Sequence, residues 1–154
     1  MTFDLQTLSD RAEILELSSR YARAIDDKDW DLLRNVFTED AYADFGLGSP
    51  FKGIEAILHA SRSIMENLDH TQHFLGNHEI DVEGDRASGR HRLIGGAYLR
   101  DAVGEPSLSE LGEYVDDYVR TENGWRISHL EFTVSWCEGN MGILGAGISA
   151  LNAT

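Results

Sequence analysis

Apolar residues in the first half of the chain recur at intervals of three and four. Ile14, Leu17, Tyr21, Ala24 and Ile25 form one such stripe, the pattern of a helix with one buried face. Ser9 or Asp10 is expected to cap this helix. A second, short helix carrying Trp30, Leu33, Val36 and Phe37 is expected behind a cap at Asp27 or Asp29. A third follows Gly53, with Ile54, Ile57, Ser61, Ile64 and Met65 along one side, and a short strand over 41–45 precedes it. From about Gln72 onward the period becomes two. Strands are expected over 71–82, 86–100, 108–121 and 125–137, broken by Glu83-Gly84-Asp85, Val103-Gly104-Glu105-Pro106 and Glu122-Asn123-Gly124. Helices first and long antiparallel strands after is an α+β pattern. Long twisted strands curl around a helix layer and leave an apolar pocket inside.

A chain of 154 residues is one domain by length, 1–154, with 139–154 as a Gly/Ala-rich tail that covers the pocket or a neighbouring subunit. Charge then narrows the partners. Lys plus Arg number 13 against 27 Asp plus Glu, a formal net charge of −14. Such a field repels phosphate backbones and anionic lipid, so neither nucleic acid nor a membrane surface is an expected partner. The single cysteine, Cys137, cannot form an internal disulfide. The start, MTFDLQTLSDRAEIL, has neither the basic residues nor the apolar run of a signal peptide, and the apolar stretch 142–151 is too short to span a bilayer. The expected location is cytoplasmic.

Three of the six histidines fall within Asp69-His70-Thr71-Gln72-His73-Phe74-Leu75-Gly76-Asn77-His78. A metal site is the first possibility to weigh. His70 and His73 are three apart and His73 and His78 five apart, and odd separations on a strand place side chains on opposite faces. The acidic run 26–31 resembles a calcium loop, but read from Asp27 it has Leu32 in place of the loop glycine and Thr38 in place of the bidentate glutamate. No metal is expected. There is no GxSxG elbow, no GxGxxG turn, and no activating context around Cys137, so neither a covalent nucleophile nor a nucleotide cofactor is expected. Gly95-Gly96, inside a strand, suggests a bulge or room for something lying close to the backbone.

An acid–base pair remains. Asp26 follows directly on the apolar helix face, at the rim of the core, and His73 begins the first long strand. A histidine held by a carboxylate is fixed in one tautomer, and its imidazolium is stabilised once it takes a proton. The alternative is that Asp26 caps the second helix and His73 is a core residue.

The segment 21–34 (YARAIDDKDWDLLR), Thr71-Gln72-His73-Phe74-Leu75-Gly76 and Gly124-Trp125-Arg126-Ile127-Ser128 resemble the SnoaL-like branch of the NTF2-like superfamily. The likeness runs from about Leu8 to Glu138 and is nearest in motifs to scytalone dehydratase and hexachlorocyclohexane dehydrochlorinase. It implies a cone-shaped, curved antiparallel sheet packed on N-terminal helices around a deep apolar pocket. It also implies an Asp–His dyad at Asp26 and His73, and a homo-oligomer, trimer or dimer. Other family positions have changed. The two tyrosines of scytalone dehydratase fall on Ile25 and Phe45, a second pocket histidine near Ala97, a pocket asparagine near Tyr114, and the dehydrochlorinase arginine on Leu130.

Strand parity with His73 facing inward adds Leu93, Gly95 and Ala97 on one strand, Glu110, Gly112 and Tyr114 on the next, and Leu130 and Phe132 on the last. Tyr114 and Glu110 are the polar groups that could meet a carbonyl or leaving group, whereas Trp30 and Trp136 read as packing residues. The expected function is a cofactor-free lyase of dehydratase or dehydrohalogenase type acting on a small apolar cyclic molecule. An isomerase or polyketide-cyclase-type enzyme needs the same dyad. A non-catalytic ligand-binding or assembly module is the reading of another class.

Overall fold

The first helix begins one turn earlier than its apolar stripe suggests. In the computed structural model, which describes residues 2–153, α1 spans Leu5–Asp26, and the Asp4 carboxylate caps it by accepting the Thr7 backbone N–H at 2.7 Å. Ser9 and Asp10 are therefore helical and cap nothing. Asp10 points inward, where it accepts both terminal nitrogens of Arg120 at 2.7 and 2.8 Å. The expected apolar face is buried from Ile14 to Ile25. Helix α2 (Trp30–Arg34) is capped by Asp29, which accepts the Leu32 N–H at 2.9 Å.

Val36 and Phe37 are not helical. The chain turns after Asn35 and β1 runs over Phe37–Asp44, starting before the expected 41–45 strand. A two-residue strand β2 (Phe51–Lys52) pairs with it, and α3 (Ile54–Met65) follows Gly53, whose φ of 84° suits glycine. The long strands are β3 (His70–Glu83), β4 (Arg86–Tyr98), β5 (Ser107–Thr121) and β6 (Gly124–Gly139).

These strands form one sheet in the order β2-β1-β6-β5-β4-β3, curved but open, since the two end strands do not pair. The sheet is mixed, where an antiparallel one was expected, because β1 runs parallel to β6. Hairpin turns dictate antiparallel pairing only for the consecutive strands β3 to β6. β1 reaches β6 through a long intervening chain that leaves its direction free. The helices pack their apolar faces onto the concave side of the sheet.

After β6 the chain makes a 3₁₀ turn at Met141–Leu144 and a helix α4 (Gly145–Asn152) that lies on α3 of the same chain. The approach is backbone to backbone: a Cβ on Gly147 would stand 2.3 Å from the Ser63 carbonyl oxygen. Among the described residues, no helix is long and apolar enough to cross a membrane.

Candidate active site

Asp26 is the last residue of α1, so its carboxylate projects past the helix end toward β3. One oxygen, Oδ1, meets the His73 ring at Nδ1 (2.7 Å) and accepts the Thr71 hydroxyl (3.0 Å). The other, Oδ2, accepts the His73 backbone N–H at 2.8 Å. Thr71 and His73 are two apart on β3 and therefore share a face. Both side chains are largely enclosed, with 11% of His73 and 20% of Asp26 exposed. Burial raises the Asp26 carboxyl, but the hydrogen bonds from the His73 ring, the His73 N–H and Thr71 outweigh it, and the group lies below the ordinary carboxylate range. A carboxylate at Nδ1 leaves Nε2 as the ring nitrogen free to take a proton.

His73 lines two adjoining apolar pockets, two lobes that share part of their walls. One lobe is aromatic, walled by Tyr21, Phe45, Tyr114 and Phe132 with Ile25 and Ser61. The other is aliphatic and small-residue, walled by Leu68, Leu93, Gly95, Ala97 and Leu108 with Thr71. His73, Glu110, Met65 and Leu144 line both. Tyr114 is buried and packs edge-on against Tyr21 with ring centroids 5.8 Å apart. Burial pushes both phenols up, so they are neutral hydrogen-bonding groups. Burial also raises the Glu110 carboxyl, and the nearby His73 only partly offsets it. A wider, solvent-open groove lined by Asp81, Glu83, Arg86 and Asp117 lies toward the far end of β3 from His73 and shares none of these residues.

The structure thus brings His73, Glu110, Tyr114, Leu93, Ala97, Phe45 and Phe132 around the two lobes, and Asp26 meets them only through His73. Leu130 is a correction. It faces inward as its parity requires, but at 1% exposure it is packed in the core and lines neither lobe. Gly112 lines neither lobe: the Phe132 ring occupies its missing side-chain space, 2.5 Å from where a Cβ would be. Trp136 is a second correction, since it stands on the outer sheet face and is 53% exposed. Trp30 lies over Arg62 and donates its indole N–H to Glu66. Thr71, Met65 and Leu144 were missed. Thr71 was legible from its shared parity with His73, whereas Met65 and Leu144 arrive through tertiary packing.

Strand parity also misplaced His78. Asn77 adopts a φ of 55° in a bulge between Gly76 and Glu79, and this turns His78 to the inner face. There it bonds Ser18 Oγ at 2.9 Å and stacks on His91 at 4.6 Å, which in turn stacks on Tyr114 at 5.1 Å. Even so, no group of three His, Cys, Asp or Glu side chains among the described residues is arranged to hold a metal ion. His91 Nδ1 is 3.5 Å from Asp116 Oδ2, which accepts the Tyr118 hydroxyl at 2.9 Å. Burial pushes His91 down to about 3 and Asp116 up to about 7, so it favours the neutral form of both.

The two groups bias stability in opposite directions. His91, depressed from 6.5, stabilises the fold above pH 6.5, and that contribution is lost as pH falls toward 3. Asp116, raised from 3.8, costs stability as pH rises from 3.8 to 7. Asp116→Asn removes the second trend alone. Relative to wild type, the variant is expected to gain stability between pH 4 and 7, by about 1.4 kcal/mol per pH unit at most. Urea unfolding at several pH values checks this, and a pH-independent difference would refute it.

An α+β domain with helices on an open curved sheet around an apolar pocket is the NTF2-like arrangement. The sequence profile of the SnoaL-like domain matches residues 6–131, and the chain belongs to that family. The Mycobacterium tuberculosis protein Rv2910c is 36% identical over 124 residues, covering 78% of this chain and 82% of its own. The crystal structure of the Kfla4162 protein from Kribbella flavida is similar at 29% identity and a TM-score of 0.83, covering 91% of this chain and 99% of that one. Hexachlorocyclohexane dehydrochlorinase LinA-type3 from Novosphingobium barchaimii LL02 shares the fold at 21% identity and a TM-score of 0.79, covering 91% of this chain and 96% of that one.

Proposed function

We propose that this chain is a cofactor-independent lyase in which His73 takes a carbon-bound proton from a small apolar cyclic substrate. Asp26 orients the imidazole and balances the charge it acquires, and a leaving group departs from the adjacent carbon. The observation that carries this reading is the 2.7 Å contact between Asp26 Oδ1 and His73 Nδ1 on the wall of an apolar cavity. A binding module has no use for an oriented base there, and a fold shared with a dehydrochlorinase supports the lyase direction. An apolar surround favours the step, because it holds the base unsolvated beside the C–H bond.

The outer sheet face supports the expected homo-oligomer. Phe74, Ile94, Leu111 and Trp136 stand in one cross-strand row, with Phe74 65% and Ile94 57% exposed. A contiguous apolar row of this kind favours a second copy of the chain as its cover.

The experiment that tests the catalytic reading uses 5-nitrobenzisoxazole, an apolar bicycle that opens when a base removes its ring C–H proton. Wild-type protein is expected to convert it in a His73-dependent way. A folded His73→Ala variant that converts it as fast as wild type would end this reading.

A further inference from the structure

The register of the sheet sets a second titratable group opposite His73. On the inner face His73 of β3 pairs with Gly95 of β4, and Gly95 pairs with Glu110 of β5. Strands are spaced at ~4.8 Å, so the outer two residues of this row stand roughly 10 Å apart at their backbones. The residue between them has no side chain. A Cβ on Gly95 would stand 3.3 Å from the Leu93 side chain, so a larger residue there would crowd the cavity floor. His73 and Glu110 each line both lobes, so the two lobes meet between these side chains, with Gly95 on the wall of the aliphatic one. No lysine or arginine among the described residues lines either lobe.

We propose that Glu110 is the acid that protonates an oxygen leaving group, and that the substrate spans both lobes with the departing oxygen at their junction. This rests on the lyase reading of His73 and adds to it the leaving-group class. A halide leaves as a weak base and needs no proton, whereas hydroxide or an alkoxide is a strong base and leaves slowly without one. A cavity offering a carboxylic acid and no cation is therefore built for C–O cleavage. Burial of Glu110 favours the protonated form that the step consumes. The aromatic lobe suits a ring, and the Gly95–Ala97 lobe suits a short aliphatic arm.

The step balances without a co-reactant. His73 Nε2 takes the proton, and the C–H electron pair becomes the new C=C bond. The C–O bond breaks with its pair going to oxygen, which takes the Glu110 proton. The imidazolium then returns a proton to the Glu110 carboxylate through the released water or alcohol, restoring both groups.

Two ethers of one shape test this: 4-phenoxybutan-2-one and 4-(4-nitrophenoxy)butan-2-one. Each has acidic hydrogens beside the ketone and loses its aryl oxide from the next carbon. Nitrophenoxide leaves unaided, whereas phenoxide gains from a proton. Glu110→Gln is expected to lower kcat/KM for the phenoxy ether ~10²-fold more than for the nitrophenoxy ether. His73→Ala lowers both. Exchange of the hydrogens beside the ketone with heavy water should persist in Glu110→Gln and vanish in His73→Ala. If Glu110→Gln slows both ethers equally or neither, with His73-dependent exchange intact, Glu110 is not the acid and the base assignment stands. If no His73-dependent exchange or elimination occurs, the lyase reading fails and the acid role with it. Should Glu110→Gln not fold, wild type and Glu110→Asp decide the matter. An acid holds the two ethers to similar rates, and a steep preference for the nitrophenoxy ether in both proteins refutes it.

Discussion

His73→Ala is expected to lose ~10²–10⁴-fold of turnover, the usual contribution of a positioned base, while keeping its fold. The fold should survive because much of what holds Asp26 is not the imidazole. The backbone N–H of residue 73 and the Thr71 hydroxyl still donate to the carboxylate. What disappears is the only ring nitrogen that combines a carboxylate at Nδ1 with a place on the cavity wall among the described residues. The space left is imidazole-shaped, so added imidazole should restore part of the rate in the alanine variant and little in wild type. Asp26→Asn should fall by a comparable factor for another reason. Its amide nitrogen would face at least one of the groups that now meet an Asp26 oxygen, and it removes the counter-charge of the imidazolium. The measurement is appearance of the nitrophenolate product of 5-nitrobenzisoxazole, with circular dichroism as the folding control. Wild-type rates in either folded variant, or an alanine variant indifferent to imidazole, would remove the acid–base pair from the mechanism.

How much of this could be read from the sequence depends on the range of the interaction. Periods of 3.6 and two located α1, α3 and the four long strands to within a few residues, because local packing on one face sets those patterns. The parallel pairing of β1 with β6 was not legible, since no hairpin turn encodes it. Parity put Leu93, Ala97, Glu110, Tyr114 and Phe132 on the inner face, where they line the lobes, but it reports a face and not a depth, and Leu130 on the same face is packed in the core. The contact of Asp26 with His73 spans 47 positions; position on the helix and strand made the two candidates, and the motif resemblance was what favoured a pair over a cap and a core residue. The inward turn of His78 hangs on one left-handed residue, Asn77, a type that adopts such a φ more readily than most. The alternation Tyr114, Asp116, Tyr118 could have revealed a buried carboxyl, since all three share the inner parity.

Asp10→Ala is expected to cost about 3–5 kcal/mol of stability and to leave the chemistry at His73 unchanged. Asp10 is 2% exposed and accepts a two-pronged Arg120 at 2.7 and 2.8 Å, the Trp125 indole N–H at 3.2 Å and the Gln6 amide at 3.1 Å. The cluster ties the first half of α1 to the hairpin of β5 and β6. Alanine would leave a guanidinium and an indole N–H facing a carboxylate that is gone. Arg120 keeps Asp85 at 2.9 Å and part of its side chain in water, which favours the lower end of that range. Asp26 lies sixteen residues further along α1, about 24 Å at the helical rise, so the catalytic geometry should not feel the change. Acid should reveal the same interaction. The hydrogen bonds from Arg120 hold the Asp10 carboxyl at about 2 against an ordinary 3.8, so its contribution is complete above pH 3.8 and is lost as pH falls through 2. Wild type should therefore shed this stability between about pH 4 and 2, and the variant should lack that slope. Replacing both partners, Asp10→Leu with Arg120→Met, should recover much of the loss, because neither charge is then left buried alone. Urea unfolding of the single and double variants at pH 7 and pH 3 measures all three effects. A single variant as stable as wild type would mean that the pair contributes nothing and that α1 is held to the β5–β6 hairpin by apolar packing alone.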